Sequence, residues 1–165
     1  MSKFPDQRIG VLVDVQNMYY SAKSIHNKKT DFLEILKVAG AKRKLVRAIA
    51  YCITTKEGTE EKFIESLRKA NYEIKSKELQ IFKDGAKKGD WDVGIAVDAI
   101  KLANNLDVIV IVSGDGDYIP LVKYLQFNQG VQVEVMAFEE SCSQALIAEA
   151  DQFINLSNYK NFFRK

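Results

Sequence analysis

Two short runs of this chain are apolar at every position. Ile9-Gly-Val-Leu-Val13 and Val108-Ile-Val-Ile-Val112 hold no polar residue and show no alternation of apolar with polar side chains. A strand with one solvated face alternates, whereas a strand covered on both faces does not. Both runs therefore read as central strands of a sheet lying between helices. The segments between and beyond them supply those helices. Asn17 to about Asn27 reads as a helix capped by Asn17, and Asp31 to Ala39 as a second, ending at Gly40. Leu45–Ile53 reads as a strand, Thr59–Ala70 as an amphipathic helix and Tyr72–Phe82 as an extended stretch. Asp92–Asn104 is an unusually apolar helix, expected to pack deep against the sheet. Tyr118–Asn128 follows as a helix with Pro120 in its first turn, then strand Val131–Ala137, helix Ser141–Ala150 and a short strand at Phe153–Leu156. The alternation predicts an α/β fold with a mostly parallel sheet and helices on both faces. At 165 residues the chain reads as one domain.

The apolar strands end in acids. Asp14 closes the first run, and Ser113-Gly-Asp115-Gly-Asp117 follows the second. Asp92 opens the apolar helix, at the end of Lys88-Gly-Asp-Trp-Asp92. In an open parallel sheet, ligands bind at the carboxyl ends of the strands. Carboxylates gathered there repel one another unless a cation joins them. Single Asp residues often sit at strand ends and helix caps for local hydrogen-bonding reasons, and Asp107, ahead of a strand, is read that way. Four at carboxyl ends point instead to a divalent metal and to phosphoryl chemistry. Oxygen donors suit Mg²⁺ or Mn²⁺, and the chain offers no His/Cys set for zinc. No Gly-x-x-x-x-Gly-Lys-Ser/Thr loop occurs, and no Gly-x-Gly-x-x-Gly follows the first strand. An aspartyl-phosphate phosphatase would carry Asp-x-Asp after that strand, where this chain reads Asp14-Val-Gln16.

Other chemistries lack their residues. His26 is the sole histidine, in a polar Lys-rich stretch, and Cys52 and Cys142 have no metal-site spacing. A net charge of +2 does not mark a nucleic-acid binder, but basic residues cluster at Lys42, Arg43, Lys44 and Arg47 and at Lys83, Lys87 and Lys88. The first cluster reads as solvated surface. The second flanks Asp92, where contact with phosphate and plain surface charge are both open. No apolar run approaches the roughly 20 residues of a membrane helix, and no hydrophobic signal core opens the chain, so a cytoplasmic protein is expected.

Taken in order, Val13-Asp14-Val-Gln-Asn17, Lys88-Gly89 leading to Asp92-Val-Gly-Ile-Ala-Val-Asp98, Ser113-Gly-Asp-Gly-Asp-Tyr118 with Pro120, and Glu149-Ala-Asp151-Gln-Phe-Ile154 resemble the NYN branch of the PIN-like nuclease superfamily, most closely its LabA-like group. The resemblance implies a single Rossmann-like PIN-type domain over residues 1–157 with strand order 3-2-1-4-5, and leaves 158–165 as a C-terminal tail. It implies Mg²⁺- or Mn²⁺-dependent cleavage of RNA, with Asp14, Asp92 and Asp115 as metal-binding acids and Asp117 as a fourth or outer acid. Asn17 would orient Asp14 or contact a phosphate, and Ser113 would support the loop. Lys88 would contact substrate phosphate. Asp98 also matches, but six residues of helix turn through about 600°, which puts it about 120° from the face of Asp92. The extra residue in Lys88-Gly-Asp-Trp-Asp92 makes Asp90 a rival to Asp92. Among Met18, Tyr19 and Tyr20, some are expected in the core and one tyrosine near a base. Trp91 is expected to cover the helix start or to serve as a base platform. The alternative to an enzyme is a regulatory domain with little turnover, binding RNA, a protein partner or a second copy of the chain.

Overall fold

The computed structural model describes residues 3–164. The chain opens with β1 (Arg8–Asp14), α1 (Val15–His26), β2 (Lys29–Thr30), α2 (Phe32–Gly40) and β3 (Lys44–Thr54). It continues through α3 (Glu61–Lys69), β4 (Glu73–Glu78), the short strands β5 (Gln80–Ile81) and β6 (Lys87–Lys88), α4 (Asp92–Ala103) and β7 (Val108–Val112). It closes with α5 (Ile119–Asn128), β8 (Gln132–Ala137), α6 (Gln144–Glu149), β9 (Gln152–Asn155) and β10 (Phe163–Arg164). Among the described residues, no helix is long and apolar enough to cross a membrane.

Six strands form one sheet in the order β4-β3-β1-β7-β8-β9, and every pair is parallel. Counted in chain order this is 3-2-1-4-5 with a sixth strand, β9, at the edge. All five residues of β7 are buried, as are Ile9, Val11, Leu12 and Val13 of β1, so both faces of the central strands are covered. The runs without alternation thus occupy the middle of the sheet. Gly10 meets the same crowding, since a Cβ there would come within 2.6 Å of Leu106 Cδ1.

From β1 the chain builds outward to β3 and β4, then crosses back to β7 and builds the other way. The gap between the carboxyl ends of β1 and β7 is therefore the switch point of the sheet. Connections on its two sides diverge there and leave a crevice. Asp14 ends one strand and Ser113 follows the other.

Five features differ from the sequence reading. Arg43, read with its cluster as solvated surface, has a buried side chain paired with Glu134 at 2.8 Å. The cap of α1 is Asp14, not Asn17: Asp14 Oδ1 accepts from Asn17 N–H at 3.2 Å. The stretch Tyr72–Phe82 divides into β4 and one arm of an antiparallel hairpin, β5–β6. Helix α4 buries Ile95, Ala99 and Ala103 along one stripe flanked by the partly buried Ala96 and Leu102, while Val93, Val97 and Ile100 are exposed, Val93 to 75%. The sheet covers one face of α4 and leaves the rest unpartnered. Finally, the segment after residue 157 packs against the domain. Phe162 is buried, its carbonyl accepts from Asp31 N–H at 2.7 Å, and β10 pairs with β2. Lys165 lies outside the described residues.

His26 belongs to this docking. It hydrogen-bonds Ser157 Oγ at 3.0 Å and packs against Phe138 and Phe163. Cys52 and Cys142 are unpaired and buried, and burial pushes each thiol up to about 11.

Candidate metal centre

The site begins with a carboxylate that does two local jobs. Asp14 leaves β1 and caps α1 through Oδ1, while its Oδ2 accepts from Ser113 Oγ at 3.3 Å and lies 3.3 Å from the Tyr118 hydroxyl. Burial pushes its pKa up to about 6, the charge of Asp92 adds to this, and the hydrogen bonds from Asn17, Ser113 and Tyr118 oppose it. Asn17 is then free to hold the neighbouring loop, its Oδ1 accepting from Gly114 N–H at 3.1 Å.

That loop is set by turn chemistry. Asp115 N–H donates to Ser113 Oγ at 3.2 Å, and Asp115 Oδ1 accepts from Asp117 N–H at 2.9 Å, capping a single 3₁₀ turn over Gly116–Tyr118. Gly114 passes so close to the start of α6 that a Cβ would sit 3.0 Å from Cys142 Cα and 3.1 Å from the Ser141 carbonyl oxygen. The loop is therefore clamped from both sides.

Asp92 enters as the first residue of α4, with its N–H held by Asp90 Oδ1 at 3.2 Å and its Oδ1 3.1 Å from the Tyr118 hydroxyl. Asp92, Asp115 and Asp117 each offer one carboxylate oxygen, and the three oxygens lie within 4.8 Å of one another. Burial raises the pKa of Asp92, and the charges of Asp115, Asp90 and Asp117 push the same way against the Tyr118 hydrogen bond. The Tyr118 hydroxyl, half enclosed between Asp14 and Asp92, has its pKa raised by burial and then by those two charges, so it stays protonated. All-oxygen donors at this spacing fit a small divalent cation, whose ligands lie about 2.0–2.6 Å from it.

The structure thus brings Asp92, Asp115 and Asp117 together and joins Asp14 to them through Ser113 and Tyr118. Two other acids point elsewhere. Asp90 lies outside the close group, with one oxygen accepting from Asp92 N–H at the start of α4. Asp98 accepts from Lys75 Nζ at 2.7 Å and from the Tyr51 hydroxyl at 2.8 Å. Burial disfavours its charge, but those two donors outweigh it and hold the carboxyl below its usual value. Lys88 lies on the exposed hairpin, opposite Gln80, and makes no salt bridge among the described residues. Trp91 covers the helix start: its Nε1 donates to the Cys52 carbonyl at 2.9 Å, Lys77 Nζ lies 4.5 Å from its ring, and a Cβ at Gly94 would fall 2.5 Å from Cε3. Tyr118 is the functional side chain that residue-by-residue reading missed. Its signal was its place directly after Asp117 in a turn flanked by acids.

Comparison with known proteins places the family and the fold. The NYN domain family model matches residues 8–157. The chain is 23% identical over 170 residues to the low amplitude and bright protein LabA of Synechococcus elongatus, covering 98% of this chain and 90% of that protein. A crystal structure of a protein of unknown function from Vibrio parahaemolyticus RIMD 2210633 superposes with a TM-score of 0.89 at 35% identity, covering 99% of this chain and 100% of the other. Since the NYN domain model covers residues 8–157, nearly the whole chain, the chain belongs to the NYN domain family.

Proposed function

We propose that this protein is a metal-dependent nuclease that cleaves RNA phosphodiester bonds at the acidic centre. The observation that carries the proposal is the meeting of Asp92, Asp115 and Asp117 oxygens within 4.8 Å at the carboxyl end of the sheet. Three carboxylates in one crevice repel a phosphate as well as each other, so the centre suits phosphate chemistry only with a cation present. Asp92, Asp115 and Asp117 would hold Mg²⁺ or Mn²⁺. When bound, the ion would offset charge on the phosphate oxygens and make a water more acidic.

The chain's own groups keep the ligands in place. Asp115 is fixed by the turn it caps, and Asp117 by the N–H it gives to Asp115. Tyr118 holds Asp92 in position with its hydroxyl, and Asn17 pins the loop through Gly114. Asp14 anchors Ser113 and Tyr118 through its Oδ2. Lys88, exposed and without an ion-pair partner among the described residues, can meet a phosphate of the approaching strand. A cytoplasmic location accords with an RNA substrate and with two unpaired thiols.

A second reading is a regulatory domain that binds RNA and turns it over little or not at all. It is favoured by the composition of the close group, which holds three acids and not Asp14. One experiment separates the two. Purified protein is incubated with single-stranded and with structured RNA in Mn²⁺, Mg²⁺ or chelator. Internal cleavage that needs the cation and is lost in Asp115→Asn supports the nuclease. RNA binding with no cleavage in either cation supports the regulator.

A further inference from the structure

The acidic centre has a neighbour that the chemistry above does not use. A cleft of about 660 Å³ opens between α1 and α3, over the ends of β1 and β3. Its volume falls in the range of about 300–1,000 Å³ typical of ligand sites. We infer that this cleft receives one unpaired base of single-stranded RNA, from a nucleotide next to the phosphate at the acids. The inference rests on the RNA reading of that centre.

Position is the first argument. Val15 and Gln16, the two residues that follow Asp14, line the cleft. On its far side Leu79 and Ile53 form a wall against the segment that leads to Asp92. A Cβ at Gly89 would lie 2.7 Å from Leu79 Cδ1 and 3.2 Å from Ile53 Cγ2. The cleft is therefore joined to the acids through the backbone on one side and through side-chain packing on the other.

Wall chemistry is the second. Helix α1 turns Met18 and Ala22 into the core, which leaves Tyr19 and Tyr20 at the cleft, 43% and 59% exposed. Their rings meet edge to face at 5.5 Å, so this contact covers no more than one ring face, and Lys23 Nζ lies 5.9 Å from the Tyr19 centroid. Two adjacent exposed rings contribute little to the core, and aromatic faces of this kind are what unpaired bases stack on. Phe63 supplies an apolar floor, tied to Phe32 by a 5.7 Å ring contact.

Polarity is the third. The half-buried Gln16 carries both donors and an acceptor, the pair of functions needed to meet a base edge. Lys29 and Lys62 stand exposed at the cleft, while the one lining acid, Glu60, is turned to Thr55, accepting from its Oγ1 at 2.9 Å and its N–H at 3.3 Å. Exposed lysines, exposed rings and a half-buried amide lining one cleft suit a nucleotide. A base-paired strand cannot use the rings, because its bases are already stacked and paired.

The test measures binding in chelator, so cleavage does not enter. The probe is a short single-stranded RNA with one 2-aminopurine, set against a hairpin of the same length and against free AMP and UMP. Wild type should quench the 2-aminopurine. Tyr20→Ala should weaken single-strand binding roughly 5- to 100-fold, while Tyr20→Phe keeps it, because stacking is the interaction lost. The slope of log K against log salt should not change in Tyr20→Ala, whereas Lys62→Ala should flatten it by about 0.7. A thermal melt confirms that the exposed tyrosine is not needed for folding. Three results would overturn the inference: unchanged single-strand binding in Tyr19→Ala and Tyr20→Ala, an equal loss on the hairpin, or free AMP or UMP bound as tightly as the RNA. Absence of cleavage with these binding effects intact would sink the nuclease reading and leave the cleft standing.

Discussion

The Tyr118 hydroxyl lies 3.1 Å from Asp92 Oδ1 and so ties the turn after β7 to the first turn of α4. The same oxygen is 3.3 Å from Asp14 Oδ2, which ends β1. Three elements distant in sequence thus share one phenol. Tyr118→Phe keeps the buried ring and removes the donor. The hydroxyl carries one proton and serves one of the two carboxylates at a time, so the pair is then short of one hydrogen bond, a loss of about 1–3 kcal/mol. We expect urea unfolding in chelator to show that loss at pH 7 and a smaller one at pH 4, since hydrogen bonds to ionised acceptors are the stronger ones. Equal stability of mutant and wild type at pH 7 would show that the hydroxyl does not hold the site together.

Asp14 gives the metal-free protein a pH dependence whose sign follows from burial. Its carboxyl is pushed up to about 6, against about 3.9 in an unfolded chain. The fold favours the neutral form, so the contribution to stability is complete below about pH 4 and is lost as pH rises through about 6. The shift of Asp92 runs the same way. Asp14→Asn keeps an acceptor for Asn17 N–H and never ionises. Relative to that variant, wild type should lose on the order of 2–3 kcal/mol between pH 4 and pH 7. The measurement is denaturant unfolding at four pH values in chelator, and a difference that does not vary with pH would mean that the hydrogen bonds outweigh burial.

How much of this was legible in the sequence depends on the kind of force that fixes each part. Val108–Val112 could be placed because a strand buried on both faces leaves a pattern with no alternation. Asp115 and Asp117 could be grouped because the turn that joins them is local. The separation of Asp98 from Asp92 followed from helical rotation alone, and Lys75 and Tyr51 occupy Asp98 as that geometry allows. The hairpin β5–β6 was not legible from periodicity, since strands of two residues have none. Its signal was Asp84-Gly85, with Gly85 at a φ of +84°. The cap of α1 was misplaced by three residues because Asp14 was read only as a ligand, and a carboxylate can also cap. The link through Tyr118 was missed because the residue was read as part of the acidic loop motif and not as a hydrogen-bond donor to acids from two other elements. The exposed stripe of α4 was missed because apolar content was taken as depth.

Lys88 provides a test on the substrate side. Single-strand binding depends on salt with a slope of about 0.7 per phosphate contact. Lys88→Ala should weaken RNA binding and flatten the slope by about that amount. Lys44, at the start of β3 and so at the other end of the sheet, pairs with Asp6 and serves as the control. Lys44→Ala should leave the slope as it is. If the two variants behave alike, the hairpin lysine is surface charge and the strand takes another path.

The last prediction separates a metal centre from an acidic corner, whichever RNA is used. Crowded carboxylates without a cation destabilise the fold, so Asp115→Asn should melt higher than wild type in chelator. The amide still accepts from Asp117 N–H, which keeps the turn. Added Mn²⁺ should raise the melting temperature of wild type, because a ligand at 100 times its dissociation constant stabilises by about 2.7 kcal/mol. Asp92→Asn and Asp115→Asn should lose most of that gain. Asp14→Asn, whose carboxylate lies outside the close group and is hydrogen-bonded to Ser113 and Tyr118, should keep a larger share. Asp107→Asn should keep all of it, since Asp107 sits at the start of β7 and is paired with Arg8 at 3.2 Å. Thermal melts of wild type and these four variants, in chelator and in millimolar Mn²⁺, decide the matter. If wild type gains nothing from Mn²⁺ and Asp115→Asn melts lower in chelator, the carboxylates are structural hydrogen-bond acceptors, and cation-dependent cleavage at this centre is excluded.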